Sequence, residues 1–287
     1  MRDPFLILGL TGKQNVLYGC YNDKGKEGFV GSTKQKLKNG EVALGAWNMI
    51  AHPNVAEMMA GEGFDWICVD MEHTSQDFQT LENIARAVKG SGKDLLVRLP
   101  SCDDVAAKKA LDLGADGIIV PCVCTKEEAE KAVAIAKFPP QGIRGASLAR
   151  CTDYGRNFHD YFKAANEQVI VVIMLEHIKA VEHVDEILSV PGIDATFIGP
   201  YDLSSSMELA GQLDHPDVLA AQKTLLDACL KHGVPPGFHI VPNDPPQVAK
   251  RIGMGFRFIA LGLDTGFIIE GCRAMLSGVA AVESQRS

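Results

Sequence analysis

A chain of 287 residues with 46% hydrophobic and 22% charged residues is long enough to bury one large core, and α/β barrels commonly run to about 250 residues as a single domain. The formal net charge of -8 excludes an extended nucleic-acid-binding face, which needs a basic excess. No apolar run reaches the roughly 18 residues of a membrane span, and the opening MRDPFLILGLTGK lacks the charged start and cleavage pattern of a secretory signal; a cytoplasmic protein without membrane contact is expected.

In chain order, residues 1–31 are rich in Gly and Lys without periodicity and read as an N-terminal extension to a domain spanning 32–287. Apolar runs of strand length then recur at 42–49, 64–71, 94–100, 117–123, 169–176, 194–200, 234–241 and 256–263. Their near-continuous Val, Ile, Leu and Phe content is that of parallel strands buried on both faces. Helix-period segments alternate with them near 54–61, 78–90, 103–113, 126–137, 178–189, 216–232, 245–253 and 266–277. Thr125 and Glu128 have capping-box spacing, and Asp103 and Asp104 favour a helix N-terminus. Glycines such as Gly114, Gly192, Gly233 and Gly255 stand where helices must stop before the next strand. The segments GEGFDWICV, LGADGIIVP and GMGFRFIAL repeat this stop-then-strand unit. Eight alternating units, with no Gly-rich dinucleotide turn after the first strand, predict a closed (β/α)₈ TIM barrel rather than an open doubly wound sheet.

Eight cysteines are present; Cys68, Cys122 and Cys124 fall inside apolar runs and read as reduced, buried small hydrophobes. The pair Cys122-x-Cys124 is too tightly spaced for a zinc knuckle and has no partner pair.

Barrel active sites form at the C-terminal ends of the strands. Polar residues at those ends are Trp47, Asp70, Glu72, His73, Arg98, Glu176, Asp202 and His239. Glu176 and Asp202 close consecutive strands, where two carboxylates brought together repel unless protonated or bridged by a cation; they are a site for a hard divalent ion or, alternatively, two solvated acids. His73 beside Asp70 suits a general base whose tautomer the acid controls, or a hydrogen-bonded loop histidine. Arg98 interrupts an apolar strand, so its guanidinium must face a carboxylate or an anionic ligand. No lysine ends a strand, which disfavours a Schiff-base mechanism. Trp47 and His239 are expected to line the site at most, Trp47 chiefly as core packing.

The ordered segments FDWICVDMEH, LLVRLP, GIIVPCV, PPQGIRGASLAR, MLEH, FIGPYDLS and ALGLDT resemble those of the HpcH/HpaI class II pyruvate aldolases over roughly residues 33–278. The resemblance implies a barrel assembled as a hexamer built from dimers that exchange their last helix. It implies a divalent metal (Mg²⁺, Mn²⁺ or Co²⁺) on Glu176 and Asp202, His73 with Asp70 as the base, and Arg98 as the stabiliser of a pyruvate enolate that adds to an aldehyde. Trp47, Ser147, Gly199, Pro200 and Tyr201 are the implied substrate contacts. Two departures bear on the acceptor pocket: the loop GIRGASLAR is shorter than the family's, and Tyr201 replaces a small residue before Asp202. A condensing enzyme or decarboxylase using oxaloacetate or another 2-oxo acid shares the same residues, and a non-catalytic barrel is the reading from a different class.

Overall fold

The computed structural model describes residues 33–241 and 244–284; the extension expected at 1–31 lies outside them. Eight parallel strands, β1 (Ala43–Asn48), β2 (Trp66–Asp70), β3 (Asp94–Arg98), β4 (Gly117–Val120), β5 (Ile170–Leu175), β6 (Ala195–Ile198), β7 (Gly237–Ile240) and β8 (Phe258–Leu263), pair in sequence order, and β8 returns to β1 to close a barrel. Among the described residues twelve α-helices surround it: α1 (Thr33–Lys38), α2 (Pro53–Gly61), α3 (Phe78–Gly90), α4 (Asp104–Asp112), α5 (Lys126–Ala136), α6 (Phe158–Gln168), α7 (Ile178–Glu182), α8 (Val184–Leu188), α9 (Pro200–Ser206), α10 (Pro216–His232), α11 (Pro245–Gly253) and α12 (Asp264–Ser284).

The expected count of eight helices is therefore too low. The segment read as one helix at 178–189 breaks at His183 into α7 and α8, and α1, α6 and α9 are additional. The strand expected to run to residue 200 stops at Ile198, because Gly199-Pro200 turns the chain into α9 with proline at the first helical position. The capping box at Thr125 and Glu128 is present, with both reciprocal hydrogen bonds.

Residues alternate between two cores, as the two-residue period of a strand requires. Inward positions stack Trp47, Trp66, Leu96, Ile119, Val172, Phe197 and Phe258 inside the barrel, while Ile67, Val69, Leu95, Val97, Ile118 and Val171 face the helices. Gly45 makes room for this filling: a Cβ there would sit 2.0 Å from the Trp66 ring. The N-terminal mouth is closed by Leu37 of α1 and by aspartates that precede strands. Asp65 accepts the Leu44 N–H at 2.9 Å, Asp116 the Leu95 N–H at 2.8 Å and Asp194 the Val171 N–H at 2.9 Å. Asp65 and Asp116 give two of the three echoed segments a physical role, and the staples leave the other mouth for chemistry.

One expectation is corrected. Cys68 is buried, but Cys122 is exposed and Cys124 half-exposed, because β4 ends at Val120 and leaves them on a loop. The helix α12 spans 21 residues and contains an 18-residue stretch with a mean hydropathy of 1.3, long and apolar enough by length and composition to cross a membrane. Single charges such as Glu270 and Arg273 break its apolar runs, so a count of uninterrupted residues misses it. Ile268, Met275, Val279 and Val282 are exposed at helical spacing along it, an apolar stripe with no covering partner among the described residues.

Candidate active site

The period that builds the inner core also delivers the site. Trp66, Cys68 and Asp70 on β2, Leu96 and Arg98 on β3, and Val172, Met174 and Glu176 along β5 share the inward side, so each series ends at the C-terminal mouth on a charge. There a cavity of about 280 Å³ is lined by Trp47, His73, Arg98, Glu176, Gly199, Pro200, Tyr201, Asp202 and His239, with Met174 and Phe197 beneath.

Asp70 is fully buried and paired with Arg98: Nε donates to Oδ1 at 3.1 Å and Nη2 donates to Oδ2. Oδ1 also accepts the backbone N–H groups of Glu72 at 3.0 Å and His73 at 3.2 Å. Burial pushes the Asp70 carboxyl up, but the Arg98 hydrogen bonds and charge outweigh it and hold it below the usual carboxylate range. Arg98 thus faces a carboxylate, as its place in an apolar strand requires.

The structure gives His73 a different acid from the one expected. Asp70 is engaged by Arg98 and holds the backbone of His73, whereas the His73 Nε2 lies 3.6 Å from Oε2 of Glu72. The same Glu72 oxygen is 3.1 Å from Arg98 Nη1. Glu72, noted in the sequence only as a strand-end charge, therefore pairs with the guanidinium and is the carboxylate nearest the imidazole.

Glu176 accepts the Cys122 N–H on Oε1 at 2.8 Å, while its Oε2 is buried with no hydrogen-bond partner. Burial, reinforced by the negative charges of Asp202 and Glu72, pushes its carboxyl up to about 7. Pairing of Leu175 with Ile198 sets Glu176 against Gly199, where a Cβ would stand 2.6 Å from Oε2. Asp202 comes from the first turn of α9 rather than from a strand and reaches the same cavity exposed. A buried orphan carboxylate oxygen beside a second carboxylate is the hard-oxygen donor pair that a Mg²⁺-type ion takes, so these residues fit a divalent metal. Among the described residues no cluster of three metal-ligating side chains exists, which leaves the remaining positions of such an ion to water and substrate. Gly199→Ala is expected to weaken Mn²⁺ binding roughly tenfold, read by calorimetric titration; its backbone angles suit alanine, so unchanged affinity would show that Glu176 tolerates the added methyl.

Trp47 is 2% exposed and packs on Trp66, Phe197 and His239, with the Arg98 guanidinium 5.4 Å from its ring centre; it serves the core and the cavity floor together. His239 stacks on it at 4.9 Å and its Nε2 lies 3.2 Å from the Gly262 carbonyl, which only accepts, so Nε2 carries the proton. Burial pushes the His239 imidazole down to about 4 and keeps it neutral. Ser147 does not line the cavity, and its hydroxyl is buried without a partner. The arginine of the GIRG segment, Arg144, donates to Asp112 Oδ1 and to the Tyr161 hydroxyl, each at 3.0 Å, anchoring that loop to α4 and α6.

The HpcH/HpaI aldolase/citrate lyase family matches residues 43–271. The chain is 34% identical over 238 residues to a 5-keto-4-deoxy-D-glucarate aldolase of Shigella sonnei (strain Ss046), covering 83% of this chain and 92% of that one. Among solved structures, an HpcH/HpaI aldolase/citrate lyase family protein from Burkholderia cenocepacia J2315 superimposes with a TM-score of 0.83 at 32% identity, covering 87% of this chain and 99% of that chain. The citrate synthase SbnG superimposes with a TM-score of 0.78 at 29% identity, covering 88% and 99%. Barrel, mouth and sequence agree: the chain belongs to the HpcH/HpaI aldolase/citrate lyase family and is a metal-dependent aldolase, a carbon–carbon lyase.

Proposed function

We propose that this enzyme forms or cleaves a 4-hydroxy-2-oxo acid by joining the enolate of pyruvate to an aldehyde. The observation that carries the reading is the buried, unpartnered Glu176 Oε2 beside Asp202, in one cavity with Arg98 and His73. Glu176 and Asp202 would hold Mg²⁺, Mn²⁺ or Co²⁺, and such an ion spreads the negative charge of an enolate and so eases loss of the C3 proton. Arg98, kept charged by Asp70, aims its remaining N–H groups at the oxygen where that charge develops. His73 takes the C3 proton and later returns one, with Glu72 orienting the ring. The Trp47, Phe197 and His239 rings floor the cavity and exclude water. Pro200, Tyr201 and Asp202 form its rim, and Tyr201, 54% exposed, stands where an acceptor aldehyde would enter.

The test is exchange of the pyruvate methyl protons with solvent deuterium in the presence of each ion. Folded protein that exchanges none with any of them would refute the enolate mechanism. The citrate synthase likeness keeps a second reading, condensation of an oxaloacetate-derived enolate; a panel of aldehydes set against oxaloacetate with acetyl-CoA separates the two.

The exposed apolar stripe of α12 supports a homo-oligomer, a hexamer built from dimers that exchange this helix. Ending the chain after Leu263 is expected to shift the mass seen by light scattering to that of a monomer. A truncated chain that keeps the full-length assembly would exclude the exchange.

A further inference from the structure

Cys122 and Cys124 follow β4 at the same mouth as the carboxylate pair, and nothing in the proposed reaction uses them. Val123 between them turns into the core, while Cys122 is exposed and Cys124 half-exposed. Their sulfurs stand 3.9 Å apart. Two thiolates on one tetrahedral ion, with metal–sulfur bonds of about 2.3 Å, lie about 3.8 Å from each other, so the loop already presents the bite of a chelate. A disulfide, by contrast, requires closure to about 2.05 Å. Burial, and after it the carboxylates of Glu176, Glu128 and Glu72, push the Cys122 thiol up, and burial with the neighbouring Cys122 pushes Cys124 up to about 12, so both sulfurs carry protons that an incoming ion must displace. Glu128 is itself held by the N–H groups of Cys124 at 2.6 Å and Thr125 at 3.1 Å, which fixes the loop without using either sulfur.

We propose that Cys122 and Cys124 form a two-thiolate site for a soft divalent cation of the Zn²⁺ or Cd²⁺ class, separate from the hard-oxygen site at Glu176 and Asp202. Each thiol releases its proton to solvent as a metal–sulfur bond forms; no electron is transferred, and water completes the coordination. The site is coupled to the carboxylate centre, because the Cys122 N–H is the donor that holds Glu176 Oε1. A soft ion that pins residues 122–124 therefore also sets the pose of Glu176, and only this coupling rests on the proposed function.

The test uses the reduced, full-length wild-type protein with excess Mg²⁺ on the hard-oxygen site, so that Glu176 keeps its hold on the Cys122 N–H. Titration with Cd²⁺ is expected to raise an ultraviolet thiolate-to-metal charge-transfer band that saturates at one ion per chain. Adding Cys122→Ser and Cys124→Ser is expected to abolish the band while the remaining cysteines stay in place. Cys124→Ser alone, at a half-exposed loop position, serves as a second variant, with circular dichroism to confirm folding, and is likewise expected to lose the one-ion endpoint. No band in the reduced protein, or the same band with and without both cysteines, would overturn the proposal. Deuterium exchange of pyruvate by the wild-type protein with Mg²⁺ is a separate readout, so failure of the thiol site and failure of the enolate mechanism are distinguished.

Discussion

Replacing Glu176 or Asp202 with alanine is expected to abolish tight Mg²⁺ and Mn²⁺ binding, and with it metal-dependent exchange of the pyruvate methyl protons. Each supplies half of a two-carboxylate donor set, so loss of either leaves an ion held by one side chain and water. Calorimetry and exchange should fail together in both variants; intact metal binding in both would place the ion elsewhere. The pH dependence follows from the same geometry. With the Glu176 carboxyl pushed up to about 7, binding must displace a proton below that pH, and apparent affinity should fall about tenfold per unit there. The metal-free protein should show the converse in its stability. A carboxyl raised in the folded state favours folding while it is protonated, so its contribution is complete below the usual carboxylate range and is lost as pH rises through about 7. That loss is on the order of 3 kcal/mol. The Tm of the metal-free enzyme should accordingly fall between about pH 5 and pH 8, Mg²⁺ should restore it at the upper end, and Glu176→Gln should flatten the profile.

Arg98→Ala is expected to damage both fold and chemistry. Asp70 is fully buried and Arg98 is its charged partner, so truncation leaves an uncompensated carboxylate at a cost of about 3–5 kcal/mol, measurable by denaturant unfolding. Loss of a donor aimed at a developing oxyanion should slow pyruvate exchange by about 10²–10³ in the protein that remains folded. A second variant separates the two effects. Arg98→Met combined with Asp70→Leu removes both charges and restores apolar packing, so stability should recover toward wild type while exchange stays lost. An Arg98→Ala protein as stable as wild type would mean that the buried pair contributes nothing to the fold.

The barrel was legible because its signal is local and repeated. Each strand is an apolar run, each helix a 3.6-period stretch, and a glycine such as Gly114 or Gly233, both at positive φ, punctuates the return. The errors arose where local pattern conflicts with a turn. Residues 117–123 are apolar throughout and 195–200 carry no charge, yet β4 and β6 stop early, and this placed Cys122 and Cys124 in the core and hid α9. The apolar face of α12 was missed for a related reason, since periodic exposure is invisible to a count of unbroken runs.

For the site, the two-residue period was enough to put Asp70, Arg98 and Glu176 at one mouth of the barrel, because inward residues of every strand end there. What each side chain touches was a tertiary matter. Two carboxylates, Asp70 and Glu72, stand within three residues of His73, and spacing alone favours neither. Arg98, 28 residues away along the chain, decides by engaging Asp70 and leaving Glu72 beside the imidazole. In the same way only the β5–β6 register shows that Gly199 clears the space for Glu176 Oε2, and only the packing against Asp112 and Tyr161 shows why the loop after Arg144 leaves Ser147 outside the cavity. The sequence by itself determined a closed barrel with charges at its C-terminal mouth, because period and strand ends are written residue by residue. The tertiary structure decided which charges pair and which oxygen is left without a partner, because those depend on distances between strands that lie far apart in the chain.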